Sequence, residues 1–314
     1  MAAAGTQRTR RILWPEKAAP TPLDRVLRTS LDDAPWAFCR RLVETGKVRV
    51  GGVIASDSRA LVPPNTEVVI DPNAARPGRR SLEPVRLVFF DAQVVVADKP
   101  AGISTVPYDP AERGTFDEMV HGALERVSHR RLPPLGVVHR IDKETSGLLV
   151  FARTTTAKRH LKQQFRFHTN DRIYLALALG AVPSQTIRSR LIEDRGDGRR
   201  GSTHHPTLGQ EAITHVELVE RLGSVSLVQC RLETGRTHQI RIHLAEAGHP
   251  LLGEKVYGGH EAREAAVLNQ APRLMLHAMR LAFTHPTREE RLSFDAPLPD
   301  DFSQLVTKLR APRR

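Results

Sequence analysis

Cysteine is nearly absent: the 314 residues contain two, Cys39 and Cys230. They lie too far apart for a local zinc or redox spacing, and two thiols make no disulfide framework, which predicts a reducing, cytoplasmic setting. Long apolar runs are missing as well. The most apolar stretch, IYLALALGAV, is about half a membrane span, and the amino-terminal MAAAGTQRTRR carries basic residues without an apolar core of signal-peptide length. A protein that neither crosses nor enters a membrane is predicted. Also absent are a glycine-rich phosphate loop, a dinucleotide fingerprint, an HExxH pair and the G-x-S-x-G elbow of serine hydrolases, so kinase, nicotinamide, zinc-protease and hydrolase readings lose their support.

What the chain has is positive charge. Lys and Arg number 47 against 35 for Asp and Glu, a net charge of +12, and the isoelectric point is about 10.4. That balance favours polyanionic partners, nucleic acid first; a basic surface kept for solubility is the plainer alternative. A hydrophobic content of 40% supports a real core, and the length suits one large domain or two.

The amino-terminal segment reads as helix, helix and hairpin. PLDRVLRTSL sets Leu23, Val26, Leu27 and Leu31 at helical spacing. PWAFCRRLVETG repeats Phe38 and Leu42, starts after Pro35 and stops at Gly46. KVRVGGVIA then alternates Val48 and Val50 before a Gly51-Gly52 turn, and TEVVI supplies another strand. Arg40, Arg41, Lys47 and Arg49 crowd this unit, expected over residues 20–71. The stretch DPNAARPGRRS, with two prolines, three arginines and no apolar period, predicts an exposed basic connector over 72–84. From Val85 to the end a second domain is expected. Its short apolar runs VRLVFF, VVVAD, GLLVFA, IYLALALG, SLVQCRL and RLAFTH read as strands, with a helix after Thr154 on Ala157, Leu161 and Phe165. Strands without strict helix alternation predict a mixed α+β fold and not a doubly wound sheet.

Two stretches carry the chemistry. In VVHRIDKETSGLLVFA, two apolar runs flank HRIDKETSG, which places Asp142 on a loop between strands, with Thr145, Ser146 and Gly147 closing a tight turn. An ordinary solvated turn with Asp142 paired to Arg140 is the alternative. HRID is not a kinase catalytic loop, because no Asn follows at the required offset. In LETGRTHQIRIHLAEAGHPLLGEKVYG, Thr237 is placed to cap a helix over His238 to Glu246, with Ile240, Leu244 and Ala247 inward and Gly248 ending it. Arg241 then lies about one turn in. His238, His243 and His249 lack a metal-ligand spacing and no Cys or carboxylate cluster completes a set, so no metal site is expected.

Together, HRIDKETSG (His139 to Gly147) and GRTHQIRIH (Gly235 to His243) closely resemble the paired signatures of the RluA-type pseudouridine synthases. DKPAGISTVP, RIYLALALG, AGHPLLGEKVYG and RLMLHAMRLAFTHP extend the resemblance over roughly Val85 to Pro286. It implies a mixed, mainly antiparallel catalytic domain with a central cleft, and a cofactor-free, metal-free isomerisation of uridine in RNA. Asp142 matches the family's catalytic aspartate, which attacks the ribose or the base or stabilises charge on glycosidic cleavage. Arg241 matches its arginine partner, a cation that helps a carboxylate in a partly dry pocket stay charged. Tyr174 matches the aromatic that packs on the target base and assists at carbon 5, and Leu276 the apolar wall of the base pocket. Arg140 resembles an arginine that fills the space left by the flipped nucleotide. His139, Lys99, Thr145, Arg236 and His238 are further substrate-binding candidates within the matched motifs.

The first unit resembles the small RNA-binding module first described in a ribosomal small-subunit protein, with departures at Ala34 to Trp36, Gly51-Gly52 and Asn65-Thr66. The expected partner is RNA, large-subunit ribosomal RNA before tRNA, bound by a monomer. Other departures from the family pattern are Ile141 for Leu, Asp98 for Asn, Arg172 for Lys and Glu254 for Asp. A catalytically silent RNA-binding protein of the same fold is the alternative class.

Overall fold

The computed structural model describes residues 9–55, 58, 60–74, 85–109, 112–258 and 271–310. The chain divides into two compact units, Met1–Glu83 and Pro84–Arg314. Of the connector expected over 72–84, residues 75–84 lie outside the described residues.

The first unit runs β1 (Arg10–Leu13), β2 (Thr21–Pro22), α1 (Leu23–Ser30), α2 (Trp36–Glu44), β3 (Val48–Val50), β4 (Val53–Ile54), β5 (Leu61–Val62) and β6 (Glu67–Ile70). Leu23, Val26 and Leu27 of α1 pack with Cys39, Leu42 and Val43 of α2 onto Val48, Val68 and Ile70 of a four-stranded sheet ordered β1-β6-β3-β4. Gly51 and Gly52 link β3 to β4 at φ +56° and +81°, the left-handed pair that a two-residue hairpin turn requires.

The second unit carries β7 (Arg86–Phe90), β8 (Val94–Lys99), α3 (Phe116–Ser128), β9 (Gly136–Val137), β10 (Ser146–Ala152), α4 (Thr155–Arg166), β11 (Asp171–Leu179), β12 (Gln185–Ile192), β13 (Gly201–Thr203), β14 (Gln210–Leu222), β15 (Val225–Leu232), α5 (Gln239–Glu246), β16 (Leu276–Thr284), β17 (Arg291–Asp295) and α6 (Asp300–Arg310). Its eleven strands form one sheet, β13-β12-β14-β15-β11-β16-β10-β8-β7, with β17 beside β16 and β9 beside β10. The β10–β16 pairing is parallel and the other pairings among the described residues are antiparallel, the mixed, mainly antiparallel α+β class expected.

The unbroken apolar runs of β8 and β10 follow from burial on both faces. Val95, Ala97, Leu149 and Phe151 pack on one side against Phe116, Val120 and Leu124 of α3 and Ile240 and Leu244 of α5. Val94, Val96, Leu148 and Val150 pack on the other against Ala157 and Leu161 of α4. Phe302, Leu305 and Val306 of α6 cover Leu177, Val225 and Leu227 further along the sheet.

Three local expectations are corrected. Ser146 and Gly147 belong to β10, and the turn closes earlier, where Thr145 N–H donates to Asp142 O at 3.0 Å. Thr237 does not cap α5: His238 takes the cap position in the left-handed region, φ +59°, and no side chain caps the helix. Ala247, just past the end of that helix, is exposed because the apolar face stops with Leu244.

Candidate active site

Asp142 stands on the loop that enters β10, and Gly147 fixes where that loop sits. A Cβ there would lie 2.3 Å from the Ala278 carbonyl oxygen of β16, so only glycine allows the parallel Gly147–Ala278 approach, and its φ of +113° suits no other residue. Ser146 Oγ and His277 Nδ1, 3.0 Å apart, lock the same junction. Beneath the loop, Thr105 Oγ1 donates to Ile141 O at 2.8 Å.

A cavity of about 360 Å³ opens between this loop, α4, β11, the β15–α5 connection and the start of β16. Its walls include Asp142, Arg241, Tyr174, Leu276, His139, Arg140, Thr145, Arg236 and His238, which brings together every site residue expected from sequence except Lys99. Lys99 is fully buried outside the cavity lining, and its ammonium donates to the carbonyls of Pro100, Ile103 and Lys143 at 2.9, 2.8 and 2.9 Å. It ties the segment after β8 to the Asp142 loop and is corrected from a substrate contact to an internal brace. Burial pushes that amine down to about 7.

Arg241 organises the charges. Its Nε and Nη2 both donate to Glu254, each at 2.8 Å, and its Nη1 donates to Asp142 Oδ2 at 3.4 Å. One guanidinium therefore bridges two carboxylates, a geometry that the planar fork permits and a lysine ammonium does not. Burial opposes the Arg241 charge, but the bonds and charges of Glu254 and Asp142 outweigh it and raise its affinity for the proton. For Glu254, burial alone would push the carboxyl up; the Arg241 bonds and charge, with the Val256 and Tyr257 amides, hold it below its ordinary value. The alternative pairing of Asp142 with Arg140 does not form.

His238 Nε2 lies 3.8 Å from the second Asp142 oxygen, and its Nδ1 is 2.6 Å from the Tyr257 hydroxyl. The Arg241 guanidinium also covers the Tyr257 ring, 5.2 Å from its centroid. His139 faces the other way: its Nε2 accepts from Val150 N–H at 3.1 Å while its ring stacks on Phe165. That acceptor role needs a neutral ring, and burial pushes His139 down to about 3. His243 and His249 are likewise occupied, His243 by Thr214 and Ser189, His249 by Leu179 O.

Tyr174 follows a β-bulge, between Ile173 and Tyr174, in the β11–β16 pairing. Such a kink re-aims a side chain, here into the cavity lined also by Leu276. Burial raises its hydroxyl above the ordinary value, so it is a neutral phenol at neutral pH. Arg172 passes beneath Gly235, where a Cβ would meet its Nη1 at 2.3 Å, and donates to Glu233 O at 3.2 Å.

Sequence reasoning misses Tyr257, reads Glu254 only as a departure from the family pattern and Phe165 only as a residue at helical spacing. The GEKVYG stretch holds a signal for Glu254 and Tyr257: a carboxylate and an aromatic three residues apart, beyond a helix that carries the arginine.

The fold is shared with solved pseudouridylate synthase domains. Human RNA Pseudouridylate Synthase Domain Containing 4 matches with a TM-score of 0.59 at 23% identity, covering 72% of this chain and 93% of its own. Human RNA Pseudouridylate Synthase Domain Containing 1 matches with 0.55 at 24%, covering 74% and 97%. A sequence model of the family described as RNA pseudouridylate synthase matches residues 93–246. "Ribosomal large subunit pseudouridine synthase D" of Neisseria meningitidis serogroup B is 36% identical over 320 residues, covering 94% of this chain and 80% of the relative. The protein of that name from Zymomonas mobilis is 32% identical, with 98% and 99% covered. That from Neisseria meningitidis serogroup A is 40% identical over 256 residues, which cover 75% of this chain and 65% of the relative. The chain belongs to the RNA pseudouridylate synthase family, in its RluA-type branch, and is by that membership an isomerase.

Proposed function

We propose that the protein converts uridine to pseudouridine in large-subunit ribosomal RNA, acting as a cytoplasmic monomer. The observation that carries this reading is the Asp142–Arg241–Glu254 array at a cavity of about 360 Å³, a size suited to one extruded nucleotide. The relatives' names, each a ribosomal large subunit pseudouridine synthase D, favour the ribosomal substrate. The net charge of +12 supports a polyanionic one.

The reaction breaks the bond between uracil nitrogen 1 and the ribose, turns the detached base, and rejoins it through carbon 5. It is redox neutral. Asp142 is the group that acts on the substrate when the glycosidic bond breaks. Arg241, fixed from behind by Glu254, offers Asp142 a single N–H and leaves the second carboxylate oxygen free. Tyr174 and Leu276 hold the base while it turns, and as a neutral phenol Tyr174 contributes packing and a hydroxyl rather than a standing phenolate. His139, Thr145, Arg236 and His238 shape the rest of the wall. The first unit, expected over 20–71 and extended by strand β1 at Arg10–Leu13, serves as an RNA-binding module through Arg40, Arg41, Lys47 and Arg49, with the connector over 72–84 and the catalytic domain from 85 onward. Among the described residues no helix is long and apolar enough to cross a membrane.

Release of tritium from 5-tritiated uridine in a large-subunit rRNA transcript tests the activity directly. Asp142→Asn is expected to abolish release while RNA binding persists. Retained turnover would remove Asp142 from its role, and no release by the wild type from any total RNA would favour a silent RNA-binding protein. Mapping pseudouridines in total RNA with and without the protein identifies the substrate, and a site confined to tRNA would overturn the ribosomal assignment.

A further inference from the structure

Tyr108, between β8 and α3, is a large aromatic left 63% exposed. Its backbone is not loose. The Glu112 carboxylate accepts from the Tyr108 N–H at 2.8 Å and from the Ser104 hydroxyl at 2.7 Å, and the Glu112 N–H returns to Asp109 O at 2.8 Å. Ser104 is itself buried and holds the first turn of α3, its carbonyl accepting from Phe116 N–H at 2.8 Å. A stiff support thus presents the ring to solvent.

The Arg140 guanidinium lies over that ring, 4.7 Å from its centroid, and donates to the Tyr108 hydroxyl. Arg241 over Tyr257 and Arg28 over Trp36 are neutralised by Glu254 and Asp33, whereas Arg41 over Phe38, Arg166 over Phe167 and Arg172 over Phe165 pair with no carboxylate among the described residues. Of these three only Arg166 and Arg172 line the active-site cavity, and neither adjoins Asp142 in sequence. Among the described residues no carboxylate pairs with Arg140, so its charge is uncompensated. Arg140 also lines the active-site cavity and stands two residues before Asp142. A planar cation with a free charge, seated on an exposed π-face at the mouth of a nucleotide-sized cavity, matches the two chemical halves of a nucleotide. The base stacks on the aromatic and the phosphate meets the guanidinium.

We propose that Tyr108, with Arg140 held on its face, forms a stacking subsite for a nucleobase of the RNA strand flanking the target uridine. The subsite rests on the RNA isomerase reading for its ligand, and it assigns Tyr108 to strand binding and not to the reaction centre. Stacking of one base on an aromatic is worth about 5- to 160-fold in affinity by alanine substitution.

The test uses the full chain and an unmodified large-subunit rRNA transcript, read by tritium release and by filter binding. Tyr108→Ala, at an exposed position that leaves folding untouched, is expected to raise KM and Kd by about tenfold, the loss falling on KM and not on kcat. Tyr108→Phe keeps the ring and is expected to recover the wild-type KM. Short-wavelength ultraviolet irradiation of the complex should give a nucleotide adduct on the peptide that contains Tyr108. The proposal is overturned if Tyr108→Ala binds as tightly as wild type, if its loss falls on kcat alone, or if Tyr108→Phe loses as much as Tyr108→Ala. Absence of turnover by the wild type overturns the isomerase reading separately, because the ratio of Kd values for the two variants still decides the subsite.

Discussion

Glu254→Gln tests whether Arg241 is held by a two-carboxylate clamp. In the native site both Glu254 oxygens accept from the guanidinium at 2.8 Å, and the Glu254 side chain is fully buried. Gln keeps the shape and one acceptor, but turns the other oxygen into an NH₂ that faces a guanidinium N–H. A charge-assisted bond worth about 1.5–3 kcal/mol becomes donor against donor. The buried cation then has Asp142, at 3.4 Å, as its nearest anion. Breaking a buried pair outright costs about 3–5 kcal/mol, and the remaining acceptor and Asp142 keep this loss near the lower bound, about 3 kcal/mol. For a folding unit of about 150–250 residues that corresponds to roughly 6–12 °C in Tm. Activity falls too, because a guanidinium freed from Glu254 swings onto Asp142 and occupies the oxygen that should meet the substrate; a misplacement of this kind costs roughly ten- to a hundredfold in kcat. The pH dependence adds a signature. With its folded-state affinity for the proton lowered from the ordinary 4.5, Glu254 contributes stability above that pH and loses it as the pH falls below, so the gap between wild type and variant narrows in acid. Scanning calorimetry at neutral and acidic pH, with tritium release at neutral pH, measures all three effects. A variant that melts within about 2 °C of wild type and turns over at the wild-type rate refutes the clamp.

Two further outcomes follow from the same geometry. Gly147→Ala places a Cβ 2.3 Å from the Ala278 carbonyl oxygen and 2.7 Å from its nitrogen, backbone against backbone with no flexible end to yield. A loss above about 4 kcal/mol and little soluble protein are expected, and a wild-type Tm for the variant would refute the close approach. His243 and His277 are pushed by burial from 6.5 down to about 4, so they stay neutral in the native state while the unfolded chain protonates them. Stability therefore falls as the pH drops from about 6.5 to about 4, at up to about 2.7 kcal/mol per pH unit for the pair. A urea-melt series over that interval checks the slope, to which the buried His139 also adds, and His277→Asn should remove about 1.4 kcal/mol per pH unit of it; a slope the variant leaves unchanged counts against a neutral buried ring.

The parts of the molecule that were legible in the sequence are those fixed by short-range chemistry or by a paired signature. Gly46 and Gly51-Gly52 mark places where the chain needs positive φ, and the structure uses them so. Ala157 and Leu161 recur at helical spacing because one face of α4 meets β10. Where a residue's fate depends on a distant neighbour, local reading failed. Thr237 is a good cap by type, yet the chain turns through His238 in a left-handed conformation that points its ring toward Asp142 and Tyr257. Such backbone strain at a reaction centre is tolerated where surrounding contacts over-determine it. The long strand β14, QEAITHVELVERL, carries Ile213, Thr214, Val216 and Val219 but also three glutamates that disfavour a strand, and β12 and β15 on its two sides supply the ladder that fixes its full length.

The active-site loop shows how these two kinds of information combine. HRID and TSG are adjacent in sequence, but what aims Asp142 is spread over the fold: Gly147 against Ala278, Thr105 against Ile141, and the Lys99 ammonium against Lys143 O. Each contact fixes backbone rather than side chain, so the carboxylate is held by a rigid loop while its own oxygens stay available. Arg241 reaches Asp142 from a helix on the far side of the cavity, and Glu254 reaches Arg241 from beyond that helix. A carboxylate supported from the backbone, and a cation supported by a second carboxylate, leave Asp142 Oδ1, with His238 Nε2 3.8 Å away, as the oxygen that the guanidinium does not bind and the one the proposed reaction uses.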